Sequence, residues 1–147
     1  MNAGKAEATV AIPQRMTAVT LGARSVPRLR AFYRSIGWDE NEGSDDSFSS
    51  FAVGDVRLAL HPLELLGQEA APGAGVVEPP AWNAVTFTLN VSTRDEVDRG
   101  VETAVAAGAS AIGSPAEREW GGYSGYFADP EGQRWEIAWA PWLTDLD

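Results

Sequence analysis

Glu136 is the residue with the clearest chemical potential in this chain of 147 residues. It lies where Trp135, Ile137 and Trp139 alternate with Arg134, Glu136 and Ala138. A period of two is the signature of a strand, so one apolar face leaves a carboxylate pointing from the other. Just upstream, Ser124 and Tyr126 put two hydroxyls on one side of a second short run. Thr86, Thr88 and Asn90 alternate in the same way with Val85, Phe87, Leu89 and Val91. A carboxylate among hydroxyls and an amide suits three tasks: general base, partner of a cationic ligand, or one ligand of a metal. Once buried, Glu136 must be held by hydrogen bonds, kept neutral, or paired with Arg57 or Arg134. His61, the sole histidine, shares a strand face with Arg57 and Ala59. Trp82 and Trp120 border glycine- or proline-rich segments, where an indole can wall a planar ligand or pack under a loop.

The elements that must position these groups follow from periodicity. Residues 17–23 alternate, with Thr20 on the side opposite Val19 and Leu21. Ser25 caps a helix whose Val26, Leu29, Phe32, Tyr33 and Ile36 fall at helical spacing; Pro27 fits its first turn and Gly37 ends it. Residues 38–42, 48–53 and 56–61 read as three short strands. Residues 62–82 hold a possible helical turn and then a proline- and glycine-rich span. The plan then recurs. Residues 84–91 form a strand, and Thr93-Arg94-Asp95-Glu96 is a capping box. The helix it opens runs to Gly108, residues 109–117 make a strand weakened by Pro115, and a hairpin turns at Asp129-Pro130-Glu131-Gly132. Strand–helix–strand–strand–strand therefore occurs twice.

The implied organisation is a leader at 1–15, a first module at 16–68, a linker at 69–82, a second module at 83–141 and a tail at 142–147. The expected fold is α+β: paired βαβββ modules forming a cup-shaped mixed sheet with helices on the outer face. The cup would be lined by Ala18, Thr20, Gly22, Arg57, Ala59, His61, Thr86, Thr88, Asn90, Ser124, Tyr126, Arg134 and Glu136, a polar set suited to a ligand rather than a core. Val85, Phe87 and Leu89 should face the helices, with Trp135, Trp139 and Trp38 structural.

Composition narrows the function. Eleven basic against twenty-one acidic residues give a net charge of −10, which argues against nucleic acid or an anionic membrane as partner. The absence of cysteine excludes disulfides and thiolate metal sites. No apolar run reaches membrane-spanning length, and a cytoplasmic protein is expected. No serine–histidine–acid or phosphate-loop pattern is evident.

TLGARSVPRLRAFYRSIGW in the first module and FADPEGQRWEI in the last hairpin resemble the vicinal oxygen chelate superfamily, which holds glyoxalase I, extradiol dioxygenases and fosfomycin- and bleomycin-resistance proteins. WGGYSGYFADPEGQRWEIAWAP is most similar to its glyoxalase-like bacterial branch. The resemblance implies a homodimer with cup-shaped sites. It also implies a divalent metal held by side chains from the first and last strands of each module, positions that fall at Ala18, near Ala59, at Thr86 and at Glu136. Only Glu136 is a metal-ligating type, so the expected cofactor is none; any residual metal would rest on Glu136 and His61. The Ser124-x-Tyr126 pair resembles one that contributes to drug binding in fosfomycin-resistance proteins.

These readings point to a binder of a small molecule, cationic or aromatic, with a degenerate metal site. Its expected ligand-binding residues are Thr20, His61, Thr86, Thr88, Asn90, Trp120, Ser124, Tyr126 and Glu136. The alternative is an enzyme of lyase, isomerase or dioxygenase type, with Glu136 as its catalytic base or with an unorthodox metal site.

Overall fold

The structure is a computed structural model and describes residues 11–75 and 80–143. The first module comprises β1 (Ala18–Ala23), α1 (Val26–Ser35), β2 (Ser49–Val53), β3 (Val56–Pro62) and α2 (Leu63–Ala70). The second comprises β4 (Thr86–Asn90), α3 (Arg94–Ala106), β5 (Ser110–Glu117), β6 (Tyr123–Ala128) and β7 (Arg134–Trp139). The strands form two mixed sheets, in the orders β1-β3-β2 and β4-β7-β6-β5. β1 runs parallel to β3 and β4 parallel to β7, and the other pairings are antiparallel. The paired α+β modules expected from the sequence are present.

Several boundaries differ. Residues 38–42 make no full strand; Glu40 alone bridges Phe51. Arg30 grips the Glu40 carboxylate through both Nε and Nη2 (2.8 and 2.7 Å), and Ser49 donates to it at 2.5 Å. Glu40 is therefore held by side chains rather than by a ladder. The possible helical turn after His61 is the eight-residue α2, which runs past the expected module boundary at 68. Val85 lies outside β4 and is 45% exposed, because Ala84 takes a left-handed φ of 64° just before it. The leader lies outside the described residues up to position 10, as do residues 76–79 of the linker and 144–147 of the tail.

Both modules contribute to one core. Phe51, Leu58 and Leu60 from the first sheet join Phe127, Trp135 and Ile137 from the second in a single cluster. Helix α1 lies between them. Its Tyr33 ring meets Phe51 at 5.9 Å and Trp135 at 6.0 Å, and Phe32 meets Phe127 at 6.2 Å. Trp38 stacks on Tyr33 at 5.4 Å. Helix α3 packs on the second sheet so closely that a Cβ on Gly125 would lie 2.9 Å from both Pro115 Cγ and Val101 Cγ2.

Polar groups tie the halves together as well. Tyr33 donates to Asp129 Oδ2 at 2.6 Å and accepts from Trp135 Nε1 at 3.0 Å, all within the core. Burial, then the neighbouring Asp129 carboxylate, push the Tyr33 phenol well above its ordinary pKa. Glu131, in the hairpin turn, accepts from the backbone N–H groups of Arg24 and Ser25 at 2.7 and 2.8 Å. A carboxylate from the second module thus caps the first helix of the first. Gly132 closes that turn at φ 98°, a conformation that glycine adopts without strain.

Candidate functional site

The apolar faces of both sheets contribute to one core. The candidate residues are shared between the two sheets. Thr20 and His61 lie on the open face of the first sheet, opposite Ala59 and Gly22 respectively. Thr86, Thr88, Asn90, Ser124, Tyr126, Arg134 and Glu136 lie on the open face of the second.

The second sheet holds the denser constellation. Registers place Thr88, Glu136 and Tyr126 side by side on β4, β7 and β6. Thr88 Oγ1 donates to Glu136 Oε1 at 2.9 Å, and the Tyr126 hydroxyl donates to Oε2 at 3.0 Å. Of the three fates open to Glu136, hydrogen bonding to hydroxyls is the one adopted. Neither arginine considered from the sequence reaches it: Arg134 Nη1 donates to the Ala81 and Gly132 carbonyls, and Arg57 belongs to the other sheet. Partial burial, then the bond to Glu136, raise the Tyr126 phenol above its ordinary pKa and keep it a donor. Each Glu136 oxygen retains one further acceptor position for an incoming group.

Ser124 does not face a ligand directly. It is fully buried beneath Arg118, whose Nε donates to Ser124 Oγ and whose Nη2 donates to the Ser124 carbonyl, both at 2.9 Å. The Arg118 guanidinium lies 5.4 Å from the centre of the Tyr126 ring. Sequence reasoning missed Arg118. The signal was the β5–β6 hairpin, which sets Arg118 opposite Gly122, on the face that carries Ser124 and Tyr126. Trp120 folds over Gly122, where an added Cβ would lie 1.9 Å from the indole, and meets Trp142 edge-on at 6.1 Å. It remains 48% exposed at the end of the site. Trp82 is exposed elsewhere and donates to the Val85 carbonyl. Asn90 and Thr86 flank Thr88 on the exposed edge of β4.

On the first sheet, a concavity of about 710 Å³ is lined by Ala18, Ser50, Ala52 and Arg57 together with loop residues including Asn41 and Ser44. His61 sits beside it, with its ring edge-on to Phe48 at 5.8 Å and Nδ1 buried without a hydrogen-bond partner among the described residues. Helix α2 covers the end of this face, with Leu63 against Gly22.

The residues do not fit a metal centre. The parallel registers put Thr88, not Thr86, opposite Glu136, and pair Ala59 with Thr20 and Ala18 with Arg57. Among the described residues no three of His, Cys, Asp and Glu gather as a metal-holding group. Threonine hydroxyls, alanine and a guanidinium cannot complete a shell begun by one carboxylate.

A complete βαβββ module and a first module that lacks one full strand share a core, and such paired modules define the vicinal oxygen chelate fold. A family model described as a glyoxalase-like domain matches residues 18–138, and the chain belongs to that family. Among solved structures it is similar to a glyoxalase-related enzyme from Fulvimarina pelagi, at 27% identity and a TM-score of 0.78 over 88% of this chain and 90% of that one. A glyoxalase/bleomycin resistance protein/dioxygenase from Nocardioides is similar at 23% identity and a TM-score of 0.74, covering 98% and 94%. A glyoxalase/bleomycin resistance protein/dioxygenase family enzyme from Burkholderia phytofirmans PsJN follows at 24% and 0.71, covering 84% and 97%. No curated protein matches the chain significantly. No described helix is long and apolar enough to cross a membrane.

Proposed function

We propose that this glyoxalase-like protein is a metal-independent binder of a small organic molecule, cytoplasmic and homodimeric, with Glu136 as the polar anchor. The observation that carries the reading is the Thr88–Glu136–Tyr126 row. Two hydroxyls fix both oxygens of a carboxylate on an outward sheet face that takes no part in the core. Holding a charged group in one orientation is of use to a ligand with a complementary cation, and Trp120 supplies an aromatic surface nearby. The net charge of −10 favours a cationic ligand over nucleic acid.

The sheet edges support the dimer. β1 and β4 each end a sheet. An apolar groove of about 470 Å³ runs between those strands, with Met16 and Val85 at its exposed rim. A second copy laid across these edges closes the cup, setting Thr20 and His61 of the partner subunit opposite Glu136. Light scattering on the purified chain should give twice the monomer mass. Tryptophan fluorescence should respond to members of a panel of cationic and aromatic metabolites, and Glu136→Gln should weaken a cationic member with little change in melting temperature. A strictly monomeric chain that responds to no compound would refute the proposal.

An enzyme using Glu136 as base is the second reading, favoured by the Tyr126 hydroxyl poised on the carboxylate. Recovery of ligand after long incubation separates the two. A binder returns the ligand unchanged, whereas a base catalyst converts it and loses rate on Glu136→Gln with little loss of affinity.

A further inference from the structure

Arg118 and Glu136 carry opposite charges on the same sheet face, touch the same tyrosine, and do not pair. Arg118 is spent on Ser124 through Nε and Nη2, and among the described residues its Nη1 has no hydrogen-bond partner. Glu136 is held by the neutral hydroxyls of Thr88 and Tyr126. Each charge is fixed in orientation by neutral groups and keeps its full demand for a counter-charge.

Their spacing is set by the sheet. Ser124, which anchors Arg118, pairs with Ala138, so Glu136 is its diagonal neighbour on β7. Diagonal neighbours on adjacent antiparallel strands lie about 7–8 Å apart. Between the charged groups stands the Tyr126 ring, with the guanidinium over its face and the carboxylate at its hydroxyl. An arginine free to swing would approach the carboxylate; the two bonds to buried Ser124 prevent it. A site built for a simple cation has no use for an arginine locked beside its carboxylate, since the like charge would repel the ligand.

We propose that the ligand is a zwitterion: its ammonium group meets Glu136, its carboxylate meets Arg118 Nη1, and its body lies against Tyr126 and Trp120. This rests on the binding function proposed above and narrows it to a ligand class. The recognition is by charge position, with Ser124 as the positioning residue that fixes the guanidinium.

Three probes of one shape test it: 4-(aminomethyl)benzoate carries both charges, benzylamine only the cation, and benzoate only the anion. Titration by calorimetry should show the zwitterion binding at least about tenfold more tightly than either singly charged probe, the scale expected of one added charge-assisted hydrogen bond. Arg118→Gln should bring the zwitterion down to the level of benzylamine and leave benzylamine itself unweakened. Glu136→Gln should bring it down to the level of benzoate. Ser124→Ala keeps both charges and the Nη2 bond to the carbonyl of residue 124 but removes the Nε bond, which loosens the guanidinium and should lose part of the advantage; Arg118→Lys, charged but unable to make both bonds, should do the same. Circular dichroism melting of each variant confirms the fold. Benzylamine binding as tightly as the zwitterion in the unaltered protein, with no effect of Arg118→Gln, would overturn the zwitterion and leave the binding function standing. Failure of all three probes and of the metabolite panel would overturn both.

Discussion

Replacing Tyr33 by phenylalanine removes one oxygen from the place where the two modules are joined. The ring stays, so its stacking on Trp38 and its edge contacts with Phe51 and Trp135 are kept. Two hydrogen bonds go: the one donated to Asp129 Oδ2 and the one accepted from Trp135 Nε1. A bond to a charged acceptor contributes about 1.5–3 kcal/mol, and a buried N–H left without a partner costs about 1–3 kcal/mol. The two overlap, because both belong to one oxygen, so the expected loss is about 2–4 kcal/mol. For a chain of this length that corresponds to about 4–16 °C in melting temperature. Urea denaturation followed by tryptophan fluorescence would measure it, with an unchanged slope showing that the same surface is exposed on unfolding. The loss should also depend on pH. Burial raises the folded Asp129 pKa above its ordinary 3.8, while the Tyr33 bond acts to lower it. The neutral form is thus favoured by the fold, and the stability it brings is full below 3.8 and lost as pH rises through the folded value. Tyr33→Phe raises that value further, so its penalty is largest at neutral pH and shrinks as pH falls through the variant's value. A loss under about 1 kcal/mol at pH 7, or one that grows on acidification, would refute the account of Tyr33 as the clamp between modules.

Glu131→Ala strips the cap that the second module places on α1, and its two charge-assisted bonds to Arg24 and Ser25 should cost about 2–4 kcal/mol in urea titrations; Glu131→Gln, which keeps one acceptor, should cost less. Arg30 first, with help from Ser49, pulls Glu40 from 4.5 down to about 2, so the stability it contributes is present above 4.5 and lost as pH falls toward 2. The difference in melting temperature between the unaltered chain and Glu40→Gln should therefore close over that window. Gly125→Ala drives a methyl into Pro115 and Val101 and should cost about 1–3 kcal/mol. Gly100→Ala meets only the movable tip of Ile137 at 2.6 Å and gains about 1 kcal/mol of helix propensity, so thermal melting should show it as the milder change.

The fold was legible because its signals are local. Ser25 caps α1 through the Arg28 N–H and Thr93 caps α3 through the Glu96 N–H, as those residue types at those positions require. The alternation in residues 86–90 put Phe87 and Leu89 toward the core and Thr86, Thr88 and Asn90 on the other face. What failed was non-local. The segment at 38–42 has strand composition, but the Arg30–Glu40 ion pair and a single bridge to Phe51 fix it without a ladder. Arg118 carries no local signal, since the turn at Trp120–Gly122 is what brings it back over Ser124. The resemblance implied Thr86 as a ligand position, whereas the register sets Thr88 beside Glu136; a shift of two residues keeps the face and changes the neighbour.

How the two sheets share one core is not carried by periodicity. Periodicity says which residues share a face, and it says nothing of how two faces are oriented to each other. Each module has one helix-side face to bury, and α1 satisfies both sheets at once by lying between Phe51 and Trp135. That solution needs Trp38, Phe32 and Tyr33 in one short stretch. β7 then serves the two purposes on alternate residues. Trp135 and Ile137 hold the core, at 3% and 6% exposure, while Glu136 between them carries the site. The chain has thereby separated the residues that keep it folded from those on the polar face of β7, which lets that face diverge by substitution without disturbing the join between the modules.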